Sequence, residues 1–323
     1  MVPPPKGRVA RSIRAGGAIH GKLMLSTTLR LFPGFERRNV AVGDDVVIAT
    51  VVGGSGPPLL LLHGHPQTRT LWHRVASILA ERHTVVAADL RGYGDSSKPE
   101  GGADHAGYAK RAMAQDQVTM MRALGFDRFD VLAHDRGARV AHRLAMDHPD
   151  AVRRLVFLDI APTLAMYEQT GEAFARAYWH WFFLIQPPPL PERLIEADPA
   201  AYVRDVMGRR SAGLAPFDPL AMAEYQRCMG LPGAAHGVCE DYRASAGIDL
   251  DLDRADRAAG RMLQAPLLVL WGRLGVVERC FQPLAEWRRV ARDVHGEALP
   301  CGHYIAEEAP AALLDRVVPF FSG

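Results

Sequence analysis

The chain has 323 residues, of which 48% are apolar and 23% charged, and a formal net charge of +2. These values fit one α/β domain carrying an insertion and exclude a low-complexity or fibrous chain. A charge this near zero argues against nucleic-acid and membrane partners, and no apolar run is long enough to span a bilayer.

The first residues are basic: Lys6, Arg8, Arg11, Arg14, Lys22 and Arg30 precede the first acidic residue, Glu36. Ala15 to Ile19 is too short and too rich in glycine for the apolar core of a secretory signal. Residues 1–34 are therefore expected to form a basic tail without fixed structure, with Met24 offering an alternative start and an organellar presequence as a second reading.

From Arg38 onward short apolar runs alternate with helical stretches. Val40 to Val42 and Val46 to Val52 predict two antiparallel strands joined by the turn Gly43-Asp44-Asp45. Pro58 to His63 is a continuous apolar run, as expected of a strand buried on both faces. Further strands are predicted at Thr84 to Ala88, Phe129 to Ala133, Leu155 to Ile160, Pro266 to Trp271 and Glu297 to Leu299. Helices are predicted at Leu71 to Arg82, Tyr108 to Leu124 and Ala138 to His148. The alternation implies a doubly wound, mostly parallel eight-stranded sheet. Residues 162–260 break it. They are rich in aromatics and helix formers, contain Pro187 to Pro191, and show no buried-strand run. They are expected to form a helical cap after the sixth strand, leaving residues 35–161 and 261–323 as the core. Cys228, Cys239, Cys280 and Cys301 lack CxxC spacing and clustered histidines. That predicts free thiols in a reducing, cytoplasmic setting and no metal or other cofactor.

Five features carry chemistry. Ala133-His134-Asp135-Arg136-Gly137 lies between a predicted strand and helix, with small residues two before and two after its centre, as a tight nucleophile elbow requires. A carboxylate there is already ionised and can attack a saturated carbon without a base. Taken alone, Asp135 fits a helix N-cap as well. Gly302-His303 follows the last predicted strand, where a histidine can activate water against an ester on Asp135. Its acidic partner is assigned to Asp159, at the end of Leu158-Asp159-Ile160, with Glu278 as the alternative. His63-Gly64-His65-Pro66 offers the backbone N–H of His65 as one oxyanion donor, with that of Arg136 as the other. Arg136 and Arg139 lie one and four residues after the nucleophile, on one side of the helix opening. Two guanidiniums there suit a substrate carboxylate.

With these motifs the chain resembles the α/β-hydrolase superfamily and, within it, the fluoroacetate (haloacetate) dehalogenases. The likeness runs from about Phe35 to Phe321 and includes His63-Gly64-His65-Pro66-Gln67-Thr68, Asp89-Leu90-Arg91-Gly92-Tyr93-Gly94, His134-Asp135-Arg136-Gly137-Ala138-Arg139, Tyr178-Trp179-His180-Trp181, Cys239-Glu240-Asp241-Tyr242-Arg243 and Gly302-His303. The resemblance implies an α/β-hydrolase fold with a helical cap and hydrolysis of haloacids to glycolate and halide. It implies an aspartyl ester on Asp135, with Asp159 and His303 completing the triad and Arg136 and Arg139 holding the substrate carboxylate. It further implies a halide site of His180, Trp181 and Tyr242, and a homodimer. Two departures stand out. His65 occupies a position where the family typically carries Phe, and Arg209-Arg210 stands, in a shortened stretch from Val203 to Phe217, where the resemblance implies a Trp lining the substrate entrance. Epoxide hydrolases and haloalkane dehalogenases share the Asp–His–acid set but place Trp directly after the nucleophile, which suits neutral substrates. A non-catalytic receptor on the same fold is the reading from a different class.

Overall fold

Eight strands form one sheet in the order β1-β2-β4-β3-β5-β6-β7-β8. They are β1 (Glu36–Ala41), β2 (Val47–Gly53), β3 (Pro58–Leu62), β4 (Thr84–Ala88), β5 (Phe129–His134), β6 (Val152–Leu158), β7 (Leu267–Gly272) and β8 (Val294–Leu299). This structure, a computed structural model, describes residues 30–210 and 212–322. Strands β1 and β2 are antiparallel, β2 runs antiparallel to β4, and the remaining pairs are parallel.

The apolar run in β3 is buried on both faces. Leu60 and Leu62 join one core layer, while Leu59 and Leu61 join the other. Alternate side chains of a strand point to opposite faces, so a sheet covered on both sides selects apolar residues at every position.

Three expectations need adjustment. Leu31 and Phe32 fall in the expected tail, yet both are buried against the second core layer, where Phe32 meets Phe35 edge-on at 5.6 Å. The fold therefore takes hold before residue 34, while the rest of the expected tail, residues 1–29, lies outside the described residues. The helix expected at Leu71 to Arg82 is instead a 3-10 helix (Arg69–Arg74) followed by one α-turn (Ala76–Leu79). The Arg69 N–H is taken by the Asp89 carboxylate at 2.7 Å, and Leu71 N–H reaches Thr68 O at 3.0 Å, which tightens the first turn. Finally, the helix expected from Ala138 begins two residues earlier, at Arg136, and runs to Asp147.

Between β6 and β7 the described residues form eight helices and no strand, from Thr163 to Ala258. Side-chain caps define several of their starts. Asp198 accepts from Ala201 N at 2.8 Å, and Asp218 from Leu220 N at 2.7 Å. Phe174, Tyr178 and Trp181 are buried from this segment and belong to the same core layer as β5 and β6. Among the described residues no helix is long and apolar enough to cross a membrane.

The sheet order places the site. Strand β3 has β4 on one side and β5 on the other, so the connections leave in opposite directions there. Such a switch point opens a crevice beyond the carboxyl ends of the strands. The loops after β3, β5, β6 and β8 carry His65, Asp135, Asp159 and His303 respectively.

Candidate active site

Asp135 sits between β5 and the helix Arg136–Asp147 with φ 46° and ψ −114°. An L-residue rarely adopts positive φ, and holding one there costs about 1–3 kcal/mol, so the surroundings must enforce it. Two glycines make room. A Cβ on Gly137 would lie 2.4 Å from the His63 carbonyl oxygen, and one on Gly64 would lie 2.4 Å from the Asp135 Cβ. The turn is held by Gly137 N–H donating to His63 O at 2.8 Å. The Asp135 backbone carbonyl opens the helix by accepting from Ala138 and Arg139. Its side chain makes no capping bond to that helix, which removes the cap as an explanation for a carboxylate at this position.

The carboxylate faces inward. His65 N–H donates to Asp135 Oδ1 at 3.0 Å. Arg136 N–H, as the first of the helix, has no acceptor within the helix. Burial pushes the Asp135 pKa up, but the positive charges around it, His303 first and then Arg139 and Arg136, outweigh it and hold the carboxyl well below the ordinary range. The group is an anion at any working pH.

His303 Nδ1–H donates to Asp159 Oδ2 at 2.6 Å, and Asp159 Oδ1 accepts Gly272 N–H at 2.9 Å. Asp159 is itself at φ 52°, with its carboxylate fixed at both oxygens. The alternative acid, Glu278, is engaged elsewhere, accepting the indole N–H of Trp271. The structure thus brings Asp159, and not Glu278, to His303. The histidine ring lies against His134, centroids 4.6 Å apart, and His134 bonds the His303 carbonyl at 2.9 Å. Burial lowers the His134 pKa to about 3, so this neighbour stays neutral and does not compete as a base.

Both expected arginines are buried at the helix opening, but each is mostly committed to protein partners. Arg136 donates through Nε and Nη2 to the Asp241 carboxylate, both at 2.8 Å, and through Nη2 to Ser245 Oγ at 2.6 Å. Burial opposes its charge, and Asp241 more than restores it. Arg139 donates through Nη1 to Thr163 Oγ1 at 2.8 Å and approaches Met166 Sδ through Nη2 at 3.1 Å. Arg136 Nη1 and Arg139 Nε are buried with no protein partner. An unpaired buried donor is costly, so each is poised for an acceptor.

His180, Trp181 and Tyr242 converge from the helical insertion. The His180 and Tyr242 rings are 5.9 Å apart, and those of Trp181 and Tyr242 are 6.3 Å apart. Arg136 lies 4.1 Å over the Tyr242 ring, and Arg139 lies 4.8 Å over that of Trp181. Trp181 Nε1 and Tyr242 Oη are buried without protein partners. Burial holds the His180 pKa well below its usual value, leaving a neutral imidazole with one N–H. Neutral N–H and O–H donors on neighbouring rings are the groups that can receive a small anion.

Sequence reasoning missed the residues that hold these groups. Asp241, next to Tyr242 in the sequence, anchors Arg136 and is shared with Lys110. Tyr202 bonds His65 Nε2 at 3.0 Å, which gives the unexpected His65 ring a partner. Burial lowers the His65 pKa to about 3, so the ring is a neutral wall. A carboxylate beside an already recognised aromatic was the available signal for Asp241, and nothing in the local sequence flags Tyr202.

Comparisons with known proteins agree with this architecture. The alpha/beta hydrolase fold family model matches residues 57–308. Fluoroacetate dehalogenase from Burkholderia sp is 50% identical over 281 residues, covering 87% of this chain and 91% of that protein. Soluble epoxide hydrolase from Corynebacterium sp. (strain C12) is 36% identical over 282 residues, covering 84% and 92% respectively. Among solved structures, an alpha/beta hydrolase from Nostoc sp PCC 7120 superposes with a TM-score of 0.87 at 50% identity, covering 90% of this chain and 99% of that one. The chain belongs to the α/β-hydrolase superfamily and, within it, to the haloacetate dehalogenase family.

Proposed function

We propose that the protein hydrolyses the carbon–halogen bond of small 2-haloacids, haloacetate in particular, through an ester on Asp135. The observation that carries this reading is a buried elbow carboxylate among unpartnered donors of two kinds. Arg136 Nη1 and Arg139 Nε suit a carboxylate, while Trp181 Nε1 and Tyr242 Oη suit a halide.

In the first step Asp135 Oδ2 attacks the carbon bearing the halogen. The carbon–halogen bond breaks and its electron pair leaves with the halide, toward His180, Trp181 and Tyr242. Arg136 and Arg139 hold the substrate carboxylate and align that carbon. Fluoride is the hardest halide to expel because it gives up strong hydration, and a dry set of N–H and O–H donors replaces part of that shell. In the second step His303 removes a proton from water, and the resulting hydroxide attacks Asp135 Cγ. Negative charge builds on Oδ1, where His65 N–H already donates. On collapse the Cγ–Oδ2 bond breaks, the departing oxygen takes the proton back from His303, and glycolate leaves with Asp135 restored, one of its oxygens now from water. Asp159 keeps His303 in the Nδ1–H tautomer, so Nε2 is the basic nitrogen. The helical insertion acts as the cap that keeps other water out.

Epoxide opening by the same nucleophile is the second reading, favoured by the unpartnered hydroxyl of Tyr242. Arg136 directly after the nucleophile favours an anionic substrate instead. Halide release from fluoro-, chloro- and bromoacetate, measured beside diol formation from styrene oxide, tests the choice. Catalytic halide release supports the first reading, and diol formation without halide release overturns it.

A further inference from the structure

Arg210 brings a third guanidinium to this site from outside the elbow. It follows the helix Pro199–Gly208, and its Cζ lies 4.4 Å over the Tyr178 ring. The Tyr304 hydroxyl lies beside it as a neutral neighbour, and among the described residues no carboxylate is bonded to the guanidinium. Its positive field reaches both Asp135 and His180. Arg210 also lines a cleft with Arg209, Arg279 and His303, walled by Ala177 and Val276.

Arg209 and Arg279 are exposed at this cleft, whereas Arg210 is half-buried. Among the described residues none of the three forms an ion pair with a carboxylate. That contrasts with Arg69, Arg136 and Arg243, which are all paired. Among the described residues no carboxylate lines the cleft, and Asp159 and Glu278 are engaged by His303 and Trp271. Unpaired cations stacked in depth raise the local concentration of anions and the rate at which they arrive. A guanidinium lying on an aromatic face keeps its charge and most of its N–H groups available while partly dry.

We propose that this cleft is the substrate entrance and that Arg210 is a specificity-determining residue there, passing the haloacid anion from Arg209 and Arg279 inward to Arg136 and Arg139. The proposal rests on the haloacid reading above. It assigns anion selectivity partly to capture, before the substrate reaches the elbow.

The test is steady-state halide release from chloroacetate at several ionic strengths, set with a non-halide salt. The variants are Arg210→Met, Arg210→Lys and the exposed double change Arg209→Ser/Arg279→Ser. Arg210→Met is expected to lower kcat/KM about three- to tenfold at low ionic strength, with the loss in kcat/KM rather than kcat. Arg210→Lys restores most of it, and the gap closes as salt rises. The double variant flattens the salt dependence without touching the interior. Unchanged kcat/KM and salt dependence in all three variants overturns the entrance proposal and leaves the haloacid reading standing. A wild-type enzyme that releases no halide and carries no adduct on Asp135 overturns both.

Discussion

Replacing Asp159 with Asn separates the two chemical steps. In the native site Asp159 Oδ2 accepts from His303 Nδ1 at 2.6 Å, while Oδ1 accepts from Gly272 N–H at 2.9 Å. An amide has only one acceptor oxygen. The Gly272 N–H is fixed by the β7–β8 backbone, so the Asn oxygen stays on it and the NH2 turns toward His303. That forces the histidine proton onto Nε2, the atom that must receive a proton from water. The tautomer is wrong for ester hydrolysis and the imidazolium loses its counter-charge. By analogy with other His–Asp pairs the cost is about 3–5 kcal/mol, roughly 10²- to 10⁴-fold in that step. Alkylation of Asp135 needs no base and proceeds. Rapid-quench halide release from bromoacetate is therefore expected to show one fast equivalent per active site, followed by a slow steady state. Peptide mass analysis is expected to find a carboxymethyl group on Asp135. Slow release with no initial burst refutes the argument, because Asp159 would then act on the first step.

Trp181→Phe removes one of three halide donors while keeping an aromatic body. It is expected to slow fluoroacetate about tenfold more than bromoacetate, because fluoride depends most on donated N–H groups; an equal effect on both substrates, measured by initial halide release, would sink the halide site. Gly64→Ala places a Cβ 2.4 Å from the Asp135 Cβ and is expected to abolish burst alkylation; a normal burst contradicts the elbow geometry. Stability also carries a pH signature. Burial lowers the pKa of His65 and of His134 to about 3, below the ordinary unfolded value near 6.5. Each therefore contributes stability that is present above pH ~6.5 and is lost as pH falls toward 3, at about 1.4 kcal/mol per pH unit per histidine. Urea midpoints between pH 7 and pH 5 are expected to fall more steeply in wild type than in His65→Phe, and equal slopes would contradict the assignment to His65.

Much of the fold was legible because buried parallel strands leave a strong trace. The run Pro58 to Leu62 and the alternation through β8 follow directly from a sheet covered on both faces. The elbow could be read because its sterics demand small residues at fixed spacing, as the Gly137 contact bears out. Asp159 was legible from its place at a strand end, and the engagement of Glu278 with Trp271 was not, since it depends on contacts made after β7. The start of the fold was misjudged at Leu31 and Phe32. Two apolar residues beside a basic stretch carry no periodicity, and only the neighbouring core layer shows that they are buried. The supporting groups around Arg136 escaped because Asp241 and Ser245 lie more than a hundred positions along the chain. Side-chain ion pairs across such distances leave no local pattern. The Arg209-Arg210 departure was visible in sequence, but its meaning depends on the cleft it shares with His303.

Single turnover in water enriched with heavy oxygen, with enzyme in excess over chloroacetate, tests the role of Asp135 most directly. The account predicts glycolate carrying ordinary oxygen from the protein and a heavy atom incorporated into the Asp135 carboxylate. Glycolate that takes the heavy atom in that first turnover, with Asp135 left unlabelled, would mean that water attacks the substrate carbon directly and would contradict the ester mechanism.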